Sequence, residues 1–263
     1  MESLKLVGTT HQMIRMVSIS ATSGVIVLAS VMNVSAQQTG RGFVTINGGY
    51  VLKADFTDNV VFTEFAEEGT LTANYGPNGG SELLDVGGGI RVWQNLAVGV
   101  AVVAFAINKG ASVTAQIPHP FYFDRDRQIT AQGHSGPIVG REEMAVHFQG
   151  IWMAPVNEVL EVAVFGGPTF FNIKQDLVTA VLYDQAYPYE TASYTGATVG
   201  QQSGSKVGFN VGVDVSVYFS GNVGVGGLVR FSRATIGLPS EGGGTVAVDT
   251  GGLQMGGGLR VRF

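Results

Sequence analysis

Cysteine is missing from the chain, which removes both a disulfide framework and any thiolate metal site. Charge is scarce, at 13% of residues, and the net charge of -5 comes without a basic stripe. That balance argues against a nucleic-acid partner. Histidine is rare as well: past residue 36 only His119, His134 and His147 remain. Long apolar runs are also lacking there, and no window approaches the ~18 consecutive apolar residues of a spanning helix. Residues 37–263 are therefore either soluble or cross a membrane as strands.

What is present begins with an export signal. Met13-Ile-Arg15-Met opens a weakly basic segment, an apolar stretch runs from Val17 to Val34, and Val34-Ser35-Ala36 supplies the small residues of a cleavage site. Cleavage is expected after Ala36, which assigns residues 1–36 to a signal peptide and 37–263 to one domain. Met13 is a plausible initiator, and a retained N-terminal anchor is the alternative. Absence of cysteine suits a chain that crosses an oxidising periplasm unfolded.

Strand-like runs then recur without helical periodicity. Three pairs are joined by very short polar turns: Asp85–Trp93 with Leu96–Asn108, Glu142–Ala154 with Val159–Phe171, and Lys206–Phe219 with Val223–Thr235. Connections of two to four residues containing Asn, Gly or Pro are hairpin chemistry. Gly42–Leu52 precedes them and Val246–Phe263 follows, which makes eight strands. The other connections are mostly long: Ala54–Leu83, Lys109–Gly140 and Lys174–Ser205, with only Gly237–Thr245 short. Short turns at one end and larger loops at the other are the asymmetry of outer-membrane barrels. Val60–Phe65 and Thr70–Tyr75 are a candidate extra hairpin, which would make ten strands or, given Glu64, Glu67 and Glu68, stand above a membrane.

Alternation assigns the faces. Val207, Phe209, Val211, Val213, Val215, Val217 and Phe219 share one side, opposite Lys206, Asn210 and Asp214. Met144, Val146, Phe148 and Trp152 oppose His147 and Gln149, whereas Leu96–Ala106 is apolar on both faces. Trp93, Trp152, Phe219 and Phe263 gather at the short-turn end, as an aromatic girdle would. Tyr50, Phe105 and Phe170 are candidates for the opposite rim. The expected fold is an all-β, eight-stranded antiparallel transmembrane up-and-down β-barrel.

With its Val34-Ser-Ala36 signal, hairpin spacing and alternating terminal strand Leu253–Phe263, the chain resembles the small eight-stranded outer-membrane barrels that include the OmpA transmembrane domain, OmpX and OmpW. The resemblance is architectural. It implies that Leu259, Val261 and Phe263 form the signal read by the barrel-assembly machinery, a partner during insertion into outer-membrane lipid.

Inward faces carry Asp85, Arg91, Glu143, Glu161, Lys206, Asp214, Arg230, Arg260 and Arg262. An eight-stranded barrel has room for little beyond its own side chains, and an unpaired buried ion costs several kcal/mol. An ion-paired plug is therefore expected, with a narrow ion pathway as the alternative. In Ile117–Arg127, His119 lies between two prolines that stiffen the chain. Phe121, Tyr122 and Phe123 are expected to fold over the barrel mouth as a lid; the alternative is that they grip a partner. A metal at His119 would need further ligands, and no cofactor is expected. Same-face neighbours four apart lie ~13 Å apart along a strand, so His147 and Glu143 do not form a catalytic pair directly. Gly87-Gly-Gly89 and Gly256-Gly-Gly258 lack the helix and Lys-Ser/Thr of a phosphate loop. The expected role is structural or surface-interactive, without enzymatic activity. Alternatives are a small-solute channel, a barrel-embedded lipid or peptide hydrolase, and a soluble lipocalin-like carrier.

Overall fold

Backbone groups inside a hydrocarbon layer must all be paired, and a sheet achieves this only by closing on itself. The computed structural model shows such closure. It describes residues 41–52, 56–65, 67–76, 81–122, 125–241 and 243–263. The expected signal, residues 1–36, lies outside these, as do Phe123 and Asp124. In chain order the strands are β1 (Gly42–Leu52), β2 (Phe56–Glu64), β3 (Glu67–Tyr75), β4 (Ser81–Trp93), β5 (Leu96–Gly110) and β6 (Ser112–Ile117). They continue as β7 (Arg127–Ala131), β8 (Ile138–Pro155), β9 (Leu160–Gln185), β10 (Ala192–Tyr218), β11 (Val223–Pro239) and β12 (Thr245–Arg262). Eight of them form a closed barrel in the order β1-β12-β11-β10-β9-β8-β5-β4. Neighbours are antiparallel, and β1 seals the barrel by pairing with both β4 and β12. This is the expected eight-stranded up-and-down barrel.

The short turns are stabilised locally. Asn157 Oδ1 accepts from the N–H groups of Val159 and Leu160 at 2.9 and 2.7 Å, and Ser220 Oγ accepts from Val223 N–H at 3.2 Å. Side chains of this kind hold tight turns by bonding backbone two or three residues on.

At the other end the structure departs from the expected loops. The candidate hairpin forms as β2–β3, but outside the barrel, in a separate four-stranded sheet of order β2-β3-β6-β7. Strands β6 and β7 were hidden by their brevity, at 6 and 5 residues. Most of the expected loop Lys174–Ser205 is strand, because β9 and β10 run for 26 and 27 residues. That is more than twice the ~9–11 residues of one tilted crossing. The upper part of β10 is rich in Ser, Thr, Gln and Tyr, and in β9 adjacent Leu177 and Val178 break the alternation, so the apolar/polar contrast that betrays a strand is weak there.

The outer face of β10 from Val207 to Phe219 is a continuous apolar row, each member 40–68% exposed. Trp93, Trp152, Phe219 and Phe263 are exposed at the short-turn end, and Tyr50 and Phe170 toward the other. Phe105 corrects the rim expectation: it is buried and points inward. Its strand is apolar on both faces, so parity was not readable from sequence. Higher up, buried Leu71, Val113, Ile117, Ile173, Leu177, Leu238 and Val248 form one apolar core shared by the small sheet and the upper barrel wall.

Candidate functional site

Two features sit on this frame: a charged lumen and an aromatic tip. In the lumen, each of four acids meets an arginine. Arg230 pairs with Asp85 and Arg260 with Asp214, while Arg141 lies 3.0 Å from Glu143 and Arg91 lies 3.4 Å from Glu161. Neutral groups complete the network. Asn47 Nδ2 donates to Asp85 Oδ1 at 2.8 Å, and Asn47 Oδ1 accepts from Arg260 at 2.5 Å. Arg230 Nε donates to Gln254 Oε1 at 2.8 Å. Asp214 also accepts from Ser216 Oγ at 2.6 Å and from Arg260 Nε at 3.2 Å. Glu143 accepts from the Gly251 N–H at 2.9 Å, and Arg141 donates to the Asp249 carbonyl at 2.7 Å. Ions in a low-dielectric interior are tolerated only with such partners.

Arg141 was missed because it lies just outside the strand boundary drawn at Glu142. Two expected members lie elsewhere. Lys206 is exposed and takes part in no ion pair among the described residues. Arg262 stacks 3.9 Å from the Tyr218 ring centroid and donates to the Gly221 carbonyl at 2.6 Å, at the short-turn rim. The charges that remain inside close to four against four. His147 Nδ1 is 2.8 Å from Thr169 Oγ1, which Asn210 Nδ2 also contacts at 2.9 Å. Its neighbour is thus a hydroxyl, while Glu143 is held by Arg141 and the Gly251 amide. The free space among these groups is a cavity of about 60 Å³, on the order of a few water molecules.

The tip is built differently from the expected lid. His119 is buried, and its Nδ1 accepts from the N–H groups of Phe121 and Tyr122 at 3.1 and 3.2 Å. Arg127 Nη2 donates to the Pro118 carbonyl at 2.7 Å and also bonds Gln185 on β9. Phe121 and Tyr122 are 64% and 50% exposed, so they point away from the mouth rather than down into it. The imidazole consumes the local amides, and the rings are turned outward. Phe121 meets Tyr189 at 5.6 Å, Tyr189 meets Tyr187 at 6.0 Å, and Arg125 lies over Tyr122 at 4.8 Å. Arg125 also faces Glu190 at 3.7 Å. The β6–β7 loop and the β9–β10 turn thus share one aromatic surface. Tyr187 and Tyr189 escaped the sequence reading because only folding brings that turn to Phe121.

Beneath the tip, tyrosines tie the small sheet to β9. Tyr75 OH accepts from the Val178 N–H at 2.7 Å, and burial raises its phenol above the ordinary range. Tyr183 OH donates to Glu64 at 2.5 Å; burial, helped by that carboxylate, pushes its phenol up to about 12. No group of three or more acidic or histidine side chains that would hold a metal occurs among the described residues.

A closed antiparallel barrel with an apolar exterior and a charged, paired interior is a transmembrane β-barrel. No family model matches the sequence, and no curated relative does. Solved structures similar in outline include Neisserial surface protein A, at 11% identity over 86% of this chain and 100% of that one, TM-score 0.41. The outer membrane protein OprG from Pseudomonas aeruginosa matches at 9% identity over 87% and 99%, TM-score 0.45. The outer membrane protease OmpT from Escherichia coli matches at 9% identity over 88% and 99%, TM-score 0.44.

Proposed function

We propose that the chain is an exported protein of the bacterial outer membrane, with a shut lumen and a surface-interaction role carried by its extramembrane body. The observation that carries this reading is closure at two levels. The Asp85–Arg230 and Asp214–Arg260 pairs fill the lower lumen around a cavity of about 60 Å³. Above them, Phe171, Ile173, Leu238 and the small sheet fill the mouth with an apolar core. A solute path would have to break both. On this reading the exposed rings of Phe121, Tyr122 and Tyr187 are the contact surface.

The terminal strand fits an assembly signal. Leu259 and Phe263 present exposed apolar side chains with Val261 between them half-buried, and Phe263 exchanges backbone hydrogen bonds with Gly42 at 2.8 and 2.9 Å. Phe263 is thus both the barrel seam and a candidate contact for the assembly machinery.

Conductance of the refolded barrel in planar bilayers tests closure, with heat-modifiable gel migration verifying the fold. The expected result is electrical silence. Steady openings that vanish on Arg230→Glu would establish the channel reading instead. The interactive role is tested by adhesion of cells carrying the wild type or a Phe121→Ala, Tyr122→Ala, Tyr187→Ala variant to mucin-coated surfaces. Equal adhesion at equal surface display would remove the tip from the proposal.

A further inference from the structure

Among the cavities outside the lumen and the tip, the one on the outer wall beside Arg233 combines apolar and charged lining. It opens on the outer wall where β1, β11 and β12 meet, has a volume of about 280 Å³, and is bounded by Leu52, Phe231, Leu253, Arg233, Asp249 and Gly251. Its cause is local. Gly251 and Gly252 adopt φ of 87° and 117°, a conformation that favours glycine. They therefore leave the wall without side chains at this level. On the short-turn side its floor is apolar and continues through the Phe231–Phe209 ring pair, centroids 6.0 Å apart. On the long-loop side it is polar. Arg233 Nη2 donates to Asp249 Oδ2 at 2.7 Å, and Thr235 Oγ1 donates to Asp249 Oδ1 at 2.6 Å.

The charge arrangement is directional. Both carboxylate oxygens of Asp249 accept hydrogen bonds, one from Arg233 and one from Thr235, so it holds the guanidinium in a fixed orientation. A guanidinium carries five N–H donors, and the Arg233 side chain is still 56% exposed. Its planar fork matches a phosphate. The site also falls where the outer face of β11 changes from Phe231 to Arg233, the level at which hydrocarbon gives way to headgroups if the barrel spans a bilayer.

We propose that this groove binds a phosphate-bearing membrane lipid. One acyl chain lies along Leu52, Phe231 and Leu253, and the phosphate meets Arg233, with Asp249 as the residue that positions the guanidinium. A lipid is the fitting occupant because the cavity joins an apolar wall to a fixed cation within one span of the strand. The inference rests on the membrane-spanning reading.

The test uses the full chain refolded in nonionic detergent, with heat-modifiable migration confirming the barrel, and lipid retention read by native mass spectrometry. Phosphatidylglycerol is the probe; diacylglycerol supplies the chains without phosphate, and inorganic phosphate the anion without chains. Phosphatidylglycerol is expected to remain bound, diacylglycerol to be lost, and inorganic phosphate to bind weakly. Arg233→Gln should reduce retention about tenfold, as loss of a charge-assisted bond implies. Lys174→Gln, which removes a rim charge paired with Glu142 at 3.2 Å, should leave retention unchanged. Equal retention in Arg233→Gln, or equal binding of diacylglycerol, would overturn the proposal. Failure of the membrane reading shows separately, as a chain that neither inserts into vesicles nor shifts on heating.

Discussion

Along β11 the outward side chains are Val225, Val229 and Phe231 near the short turn, then Arg233 and Thr235; the inward ones are Arg230 and Ser232, then Ala234, Ile236 and Leu238. Strand β9 makes the same exchange, from Val164 and Phe170 outside to Asn172 and Lys174, and from Glu161 and Thr169 inside to Phe171, Ile173 and Leu177. Parity holds through Leu238 on β11 and Leu177 on β9, yet polarity inverts. The lower barrel is apolar outside and holds its ion pairs inside, beside a small buried cluster of Ala97, Ile151, Met153, Ala163 and Phe165, whereas the upper body is built like a water-soluble domain. Each face follows its solvent: an apolar exterior is favourable only against hydrocarbon, and burial of apolar area stabilises only against water. One continuous strand serves both because its backbone bonds are satisfied by its neighbours at every level.

The largest expected break in this comparison is in the lower lumen. Asp85→Ala leaves Arg230 as a buried unpaired cation and should destabilise the barrel by about 3–5 kcal/mol. Urea unfolding in detergent micelles measures it, and adding Arg230→Met should restore most of the loss. In the upper body, Leu238→Ala opens an apolar cavity and should cost about 2–5 kcal/mol. There the effect should appear as faster proteolysis of residues outside the membrane, with the heat-modifiable barrel intact. Coincident loss of both would show that the two regions unfold as one unit.

A cation on the outer face sharpens the boundary. Val213→Arg, in the middle of the apolar row, should cost about 2–4 kcal/mol. Ala247→Arg, exposed on β12 above that boundary, should cost about 0.5 kcal/mol or less. Equal penalties in refolding titrations would erase the proposed boundary between Phe231 and Arg233. The smallest effect is the pH response of the upper body. The Tyr183 phenol is raised to about 12, chiefly by burial, against an ordinary value of about 10. Its neutral form is favoured by folding, so the contribution is complete below about pH 10 and lost as pH rises through about 12. Tyrosinate absorbance followed alongside proteolysis should place loosening in that window, and Tyr183→Phe should flatten it.

The barrel was accessible from sequence because its signal is redundant. Val207–Phe219 states its parity seven times, and three polar turns set where strands reverse. Asp85, Asp214, Arg230 and Arg260 could be placed inside by the same parity. Their individual pairings could not, because Asp85 and Arg230 are separated by 145 positions and meet only through barrel closure. Arg141 was lost because the strand boundary read at Glu142 lies four residues inside β8, which starts at Ile138. Phe105 was misplaced because a strand apolar on both faces carries no contrast.

The sequence by itself determined an eight-stranded wall with one apolar face, since alternation and turn chemistry are local properties of neighbouring residues. Only the tertiary structure decided which acid meets which arginine, that Phe121 meets Tyr189, and that four short strands form a separate sheet. These depend on distances between remote segments, and such distances are set by closure of the barrel and the shared apolar core above it.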